Sequence, residues 1–96
     1  MKEIVSMQGR ITIDSADQMR RRLANALGTH PALVAVDLSE VPYMDTSGLA
    51  TLLEAMRTAH QQGTQLVLSG IQQQPGYLLK VTELDHLFEI DEGPNP

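Results

Sequence analysis

Two neighbouring hydroxyl residues, Thr46 and Ser47, carry the clearest potential for chemistry, with Asp45 before them and Gly48 after them. The apolar spacing beyond Gly48 predicts that a helix begins here. Unpaired N–H groups at a helix start carry partial positive charge, which favours a phosphate on either hydroxyl. The segment therefore predicts a phosphorylation site whose modification adds a charge of about -1.5 to -2 beside Asp45 and leaves the helix intact.

Capping alone is the other interpretation of residues 45–48, because Asp, Thr, Ser and Gly commonly begin helices. The sequence offers less support for thiol chemistry, metal binding or hydrolysis. The chain has no cysteine and no Gly-x-Ser-x-Gly motif, and its histidines, His30, His60 and His86, are scattered and distant from Ser47 in sequence. These observations exclude thiol chemistry and argue against a metal site and a hydrolase. We expect no catalytic residue, no metal ligand and no cofactor.

Composition limits the chain to one small domain. Its 96 residues, of which 42% are apolar, suffice for one core. Twelve acidic and seven basic residues give a net charge of -5, which opposes direct binding to nucleic acid. The longest apolar run, residues 33–36, is far shorter than the ~20 residues of a membrane crossing. We therefore expect a soluble, cytoplasmic protein without membrane insertion.

Strand and helix patterns alternate along the chain and position the hydroxyls. The order of strand, helix, strand, helix, strand, helix and strand predicts an α/β fold with helices packed on a sheet. Thr46 and Ser47 then follow the central strand, in the crevice where open α/β sheets bind ligands. The predicted strands are residues 4–13 with a bulge or tight turn at Gly9, 33–38, 66–68 and 87–90, and the predicted helices are 16–28, 49–63 and 77–81.

The first helix carries a start signal and a basic run. Ser15 and Gln18 have the spacing of a capping box, in which each side chain bonds the other residue's backbone N–H. Arg20, Arg21 and Arg22 fall outside the apolar stripe of this helix. We interpret this run as a solvated face in preference to a phosphate-binding patch.

The segment Val36–Leu49, Val-Asp-Leu-Ser-Glu-Val-Pro-Tyr-Met-Asp-Thr-Ser-Gly-Leu, resembles the signature of STAS domains, and of the bacterial anti-sigma factor antagonists in particular. The likeness continues through Gln62-Gly63, Ser69-Gly70-Ile71 and residues 84–90. It implies a STAS domain over residues 1–90, with a mixed four- to five-stranded sheet and helices packed against it. Residues 91–96, which are polar and rich in proline, are expected to form a disordered tail.

The resemblance also implies a function. In that family the second hydroxyl residue of the motif is phosphorylated, which implies Ser47 as the site and Thr46 as the alternative. An anti-sigma factor serine kinase would bind the unphosphorylated protein and release the phosphorylated one, and a serine phosphatase would reset the cycle. The chain would be a substrate and a binding protein, not an enzyme. The partner-binding residues implied are Asp14, Ser15, Met44, Asp45, Thr46, Ser47, Gly48 and Leu49.

Alternative interpretations of the function and of single residues stay open. Thr46 also resembles the motif of STAS accessory subunits that bind the ATPase of an ABC-type lipid transporter. Ser15 has helix capping as its alternative role, and Leu49 has core packing.

The family usually has one strand before residues 4–7, so this sheet would have an exposed edge that favours a homodimer. A helix that contains Pro75-Gly76 should begin late or be kinked.

Overall fold

Seven elements alternate between strand and helix in the computed structural model, which describes residues 1–91. The alternation confirms the predicted α/β fold class. The elements are β1 (Lys2–Gln8), α1 (Ala16–Gly28), β2 (Leu33–Glu40), α2 (Thr46–Gln62), β3 (Gln65–Ser69), α3 (Gln73–Val81) and β4 (Glu89–Asp91).

The four strands form one sheet in the order β1-β2-β3-β4. Four strands fall within the expected range of four to five. The pairings of residues 1–91 are parallel throughout, whereas a mixed sheet was expected. The reason is that each strand is joined to the next by a helix, and a helical crossover returns the chain in the same direction. Within the described part β1 is an edge strand, and its pairing with a second copy stays a prediction.

The core lies between the sheet and its helices. On β2 the alternate residues Val34, Val36 and Leu38 are fully buried, as a strand under helices requires. Full burial of a side chain of this kind stabilises the fold by roughly 1.5–3 kcal/mol. The helices contribute the buried side chains Met19, Leu23 and Leu27 from α1, and Leu49, Leu52, Ala55 and Ala59 from α2. The predicted apolar stripes of α1 and α2 therefore form the core.

Several predicted boundaries are wrong. The first strand ends at Gln8 and does not continue to residue 13, α2 begins at Thr46 and not at residue 49, and β4 covers Glu89–Asp91 and not 87–90. The helix α3 begins at Gln73, before Pro75 instead of after it. Proline is tolerated there because Pro75 is the third helical residue, and the N–H groups of a first turn have no partner within the helix. Asp91, assigned to the tail, is the last residue of β4. The rest of the predicted tail, residues 92–96, lies outside the described residues.

The predicted capping box at the start of α1 is also wrong. Ser15 is the N-cap, but its side chain makes no capping hydrogen bond and its backbone is already helical, with φ -109° and ψ -7°. Its hydroxyl instead accepts the Thr12 N–H at 3.0 Å and donates to the Arg10 carbonyl at 3.0 Å. The hydroxyl therefore fixes the loop before α1.

Candidate functional site

Two loops meet at the carboxyl ends of β1 and β2, and backbone hydrogen bonds hold them together. The Ile11 N–H donates to the Tyr43 carbonyl at 3.0 Å, and the Asp45 N–H donates to the Ile11 carbonyl at 3.0 Å. Together they form a parallel bridge between Ile11 and Met44. The loop that carries Asp14 and Ser15 is thereby anchored to the loop that leads into Thr46 and Ser47.

Gly9 allows the first loop to leave β1 towards the second. The register of β1 against β2 shifts between Ser6 and Gln8, which is the irregularity of a β-bulge. Gly9 follows with φ 78°, a conformation that glycine adopts without strain, and its N–H donates to the Glu40 carbonyl at 2.9 Å. Of the two alternatives that the sequence left open, a bulge and a tight turn, the register shift corresponds to the bulge, and it lies just before Gly9.

Asp45 caps α2. Its backbone is extended, and its Oδ1 accepts the N–H of Ser47 at 2.8 Å and that of Gly48 at 3.4 Å. A carboxylate at this position satisfies unpaired donors and interacts favourably with the helix dipole. The expectation that a phosphate would find these N–H groups free is therefore wrong, because the Asp45 carboxylate already uses two of them.

The two candidate hydroxyls differ in exposure. Thr46, the first residue of α2, is exposed, and Ser47 is half-buried. Within residues 1–91 neither hydroxyl has a hydrogen-bond partner. The Ser47 carbonyl accepts the Thr51 hydroxyl at 3.0 Å, one turn further along the helix. Ser47 thus stands on a fixed helical backbone with its oxygen available as a nucleophile for a group that another molecule supplies.

Gly48 lets the first turn of α2 pack closely on the two loops. A Cβ atom at this position would lie 2.7 Å from Cγ of Met44 and 2.8 Å from Cγ2 of Ile11. Such distances are far below ordinary van der Waals contact, so a side chain here would force either the helix or the buried side chains of Met44 and Ile11 to shift. Glycine therefore sets the position of Ser47 relative to the loop of Ile11.

The implied partner-binding residues separate into a surface group and a buried group. Met44 and Leu49 are 1% and 4% exposed and belong to the core, and Gly48 is buried as well. The side chains of Met44 and Leu49 pack inside the domain, so their part in partner binding stays a prediction. The residues that reach the surface are Asp14, Ser15, Asp45, Thr46 and Ser47.

Two residues at the site, Ile13 and Arg10, were not singled out as functional residues from the sequence. Ile13, read as strand material, lies in the loop before α1 and is 73% exposed. The Arg10 guanidinium lies 4.2 Å from the centroid of the Tyr43 ring, within the range of a cation–π interaction. Periodicity assigns side chains to faces of helices and strands, so it cannot reveal contacts between two loops.

The basic run of α1 is engaged by neighbouring groups. Arg20 pairs with Asp17 at 3.1 Å and with Glu54 at 3.0 Å, and Arg21 pairs with Asp17 at 2.7 Å. Arg22 donates to the Ser6 carbonyl at 2.7 Å. All three arginines are exposed, as predicted. Their acidic and carbonyl partners leave them less suited to bind phosphate.

The Asp37 carboxylate lies near the carboxyl end of β2. The Ser39 N–H donates to the Asp37 carboxylate at 3.0 Å and lowers the pKa of Asp37.

Residues 1–91 contain no cluster of three or more His, Asp and Glu side chains that could hold a metal ion. Over the same residues, no helix is both long and apolar enough to cross a membrane.

Comparison with curated proteins finds relatives among bacterial regulators. An anti-sigma-B factor antagonist from Staphylococcus epidermidis is 33% identical over 66 residues, which are 69% of this chain and 59% of that protein. One from Listeria monocytogenes is 28% identical over 86 residues, 90% of this chain and 75% of that protein. The matched region thus spans less than two thirds of the Staphylococcus relative.

Solved structures share the fold at low identity. A putative anti-sigma factor antagonist from Thermotoga maritima has a TM-score of 0.86 and 17% identity, covering 95% of this chain and 79% of that one. The unphosphorylated anti-sigma factor antagonist SpoIIAA has a TM-score of 0.74 and 15% identity, covering 96% and 80%. A sulfate transporter family protein from Wolinella succinogenes has a TM-score of 0.75 and 22% identity, covering 96% and 78%.

These structures include regulators and a transporter family protein, so the fold by itself does not separate the two functions. The family assignment comes from the sequence. The model of the STAS domain matches residues 3–94, nearly the whole chain. The same residues include both loops and the capped start of α2 that form the candidate site. This chain belongs to the STAS domain family.

Proposed function

We propose that this domain is an anti-sigma factor antagonist and that phosphorylation of Ser47 switches its binding to an anti-sigma factor serine kinase. The observation that carries the proposal is the Ser47 hydroxyl, which has no partner within residues 1–91 and stands on the first turn of a capped helix. The curated relatives named anti-sigma-B factor antagonist support the regulatory role. A cytoplasmic location follows from this role.

The chain supplies only the acceptor in the proposed reaction. Oγ of Ser47 attacks the γ-phosphorus of an ATP held by the kinase, and the bond from that phosphorus to the β,γ-bridging oxygen breaks. ADP leaves, and the hydroxyl proton passes to a base on the kinase. Helix α2 holds the Ser47 backbone in place before the kinase binds, which lowers the entropy cost of alignment. A serine phosphatase later hydrolyses the phosphoester and restores the hydroxyl.

The release of the kinase follows from the charge at the helix start. Asp45 occupies the N–H groups of Ser47 and Gly48, so these donors are not free to neutralise a phosphate on Ser47. The phosphate adds about -1.5 to -2 charge beside an existing carboxylate. A kinase surface complementary to the unmodified site then meets excess negative charge, which weakens the complex.

The proposed kinase-binding surface is formed by the exposed residues around Ser47. Asp14 and Thr46 are exposed, and Ile13 offers an apolar side chain beside them. Apolar anchors surrounded by polar residues commonly dominate the affinity of protein interfaces.

The test uses three baits in lysates of the native host: the wild type, Ser47→Asp and, as a matched control, Thr58→Asp, at an exposed position three turns further along α2. We expect the wild type and Thr58→Asp to retain a serine kinase and Ser47→Asp to lose it, with captured proteins identified by mass spectrometry. Incubation of the recovered kinase with ATP should place phosphate on Ser47. Recovery of an ABC-transporter ATPase with all three baits would contradict the proposal and indicate a transporter subunit.

A further inference from the structure

The segment Tyr43–Asp45 behaves as a short strand with partners on both sides. Tyr43 and Asp45 direct their backbone groups towards Ile11, as described above. In extended backbone, alternate residues point their N–H and C=O groups to opposite sides, so those of Met44 face away from Ile11. On that side no strand pairs with Met44 within residues 1–91.

The side chain of Gln74 takes the place of the missing strand. The Met44 N–H donates to Gln74 Oε1 at 2.8 Å, and Gln74 Nε2 donates to the Met44 carbonyl at 3.0 Å. Gln74 belongs to the first turn of α3 and is half-buried. Its primary amide thus reproduces the donor and acceptor of a peptide unit.

We propose that Gln74 is a positioning residue for Ser47: its amide fixes Met44, and through Met44 the Asp45 cap that sets the start of α2. The expected effect on Ser47 phosphorylation rests on the proposed function. The fixation of Met44 rests only on the two hydrogen bonds with Gln74. An amide side chain offers a donor and an acceptor side by side, whereas an ionised glutamate only accepts and a lysine only donates. Loss of Gln74 leaves two partly buried backbone groups unpaired.

Loss of the Gln74 bonds affects the Ser47 hydroxyl through one intervening residue, Asp45. Asp45 follows Met44 directly and bonds the Ser47 N–H, so a displaced Met44 moves the cap. Small displacements of an acceptor lower the rate of group transfer because the reacting atoms lose alignment. We therefore expect the kcat of phosphorylation to fall more than the KM rises.

The experiment compares Gln74→Leu, which keeps the side-chain size and removes both bonds, with the control Gln73→Leu at an exposed neighbouring position. Hydrogen exchange of the Met44 amide, followed by NMR, should accelerate about tenfold in Gln74→Leu and stay unchanged in the control. Phosphorylation of Ser47 by the captured kinase should fall by a similar factor in kcat, at a temperature where both variants are folded.

Unchanged exchange at Met44 in Gln74→Leu would overturn the fixation of this residue. Faster exchange with an unchanged kcat would overturn the positioning role. Failure of the wild type to become phosphorylated would contradict the proposed function instead, and the exchange measurement would still decide whether Gln74 fixes Met44.

Discussion

The Asp45 carboxylate and the Ser47 backbone are joined at 2.8 Å, because Oδ1 of Asp45 accepts the Ser47 N–H. The proposed phosphorylation site therefore begins with an anion already bound at the helix start. A phosphate on Ser47 would be a second anion on the same turn. The electrostatic coupling between positions 45 and 47 is thus the quantity that the proposed switch depends on.

A double-mutant cycle measures this coupling through the free energy of unfolding. Asp45→Asn keeps a good cap and removes the charge, and Ser47→Asp introduces one. We expect Ser47→Asp to be less favourable by about 0.5 kcal/mol when Asp45 is present than in the Asp45→Asn background, because like charges on one turn repel. Urea unfolding of the four proteins provides the values.

High salt should reduce the coupling, since the two side chains are only partly buried. A coupling that is zero at low salt would mean that Asp45 does not oppose charge at position 47. Release of the kinase would then need another cause.

Removal of the Ser47 hydroxyl should affect modification and not stability. The hydroxyl has no hydrogen-bond partner within residues 1–91, so Ser47→Ala is expected to change the free energy of unfolding by less than about 1 kcal/mol. The same variant should take up no phosphate from the kinase, as measured by intact mass. Thr46→Ala is the control and should be fully modified; full modification of Ser47→Ala would place the site on Thr46.

The sequence predicts those features of the site that depend on residues close together in the chain, and not those that depend on distant residues. The helix α2 was predictable because its apolar stripe and its end at Gly63, which has φ 76°, are local signals. The Asp45 cap was predictable for the same reason. The burial of Met44 and its bonds to Gln74 were not, because they join segments thirty residues apart in the chain.

A local sequence signal gave a wrong prediction at the start of α1, where a tertiary contact competes with helix capping. Ser15 and Gln18 have the spacing of a capping box, yet the Ser15 hydroxyl bonds Arg10 and Thr12 in the preceding loop. One hydroxyl cannot satisfy both arrangements at once. The loop, which leaves β1 at a bulge and docks on Tyr43, decides between them.

Gly48 should not tolerate a side chain. A Cβ atom would lie 2.7 Å from Met44 Cγ and 2.8 Å from Ile11 Cγ2, so Gly48→Ala is expected to lower the free energy of unfolding by about 1–3 kcal/mol. Thermal and urea unfolding provide the measurement. Gly28→Ala is the matched control, because Gly28 also lies in a helix and its added Cβ meets no atom within 4 Å. Equal stability of the two variants would contradict the close approach at Gly48.

Ile13 should contribute to partner affinity without contributing to stability. At 73% exposure its side chain buries little surface in the domain, so Ile13→Ser should leave the melting temperature nearly unchanged. Burial of the same side chain against the kinase would favour the complex, and we expect Ile13→Ser to raise the Kd about tenfold, which calorimetry can measure. Val81→Ser, at 53% exposure on α3, is the control and should bind as the wild type does. If Ile13→Ser also bound with unchanged affinity, the kinase would have to contact Ser47 from a direction that leaves the loop before α1 uncovered.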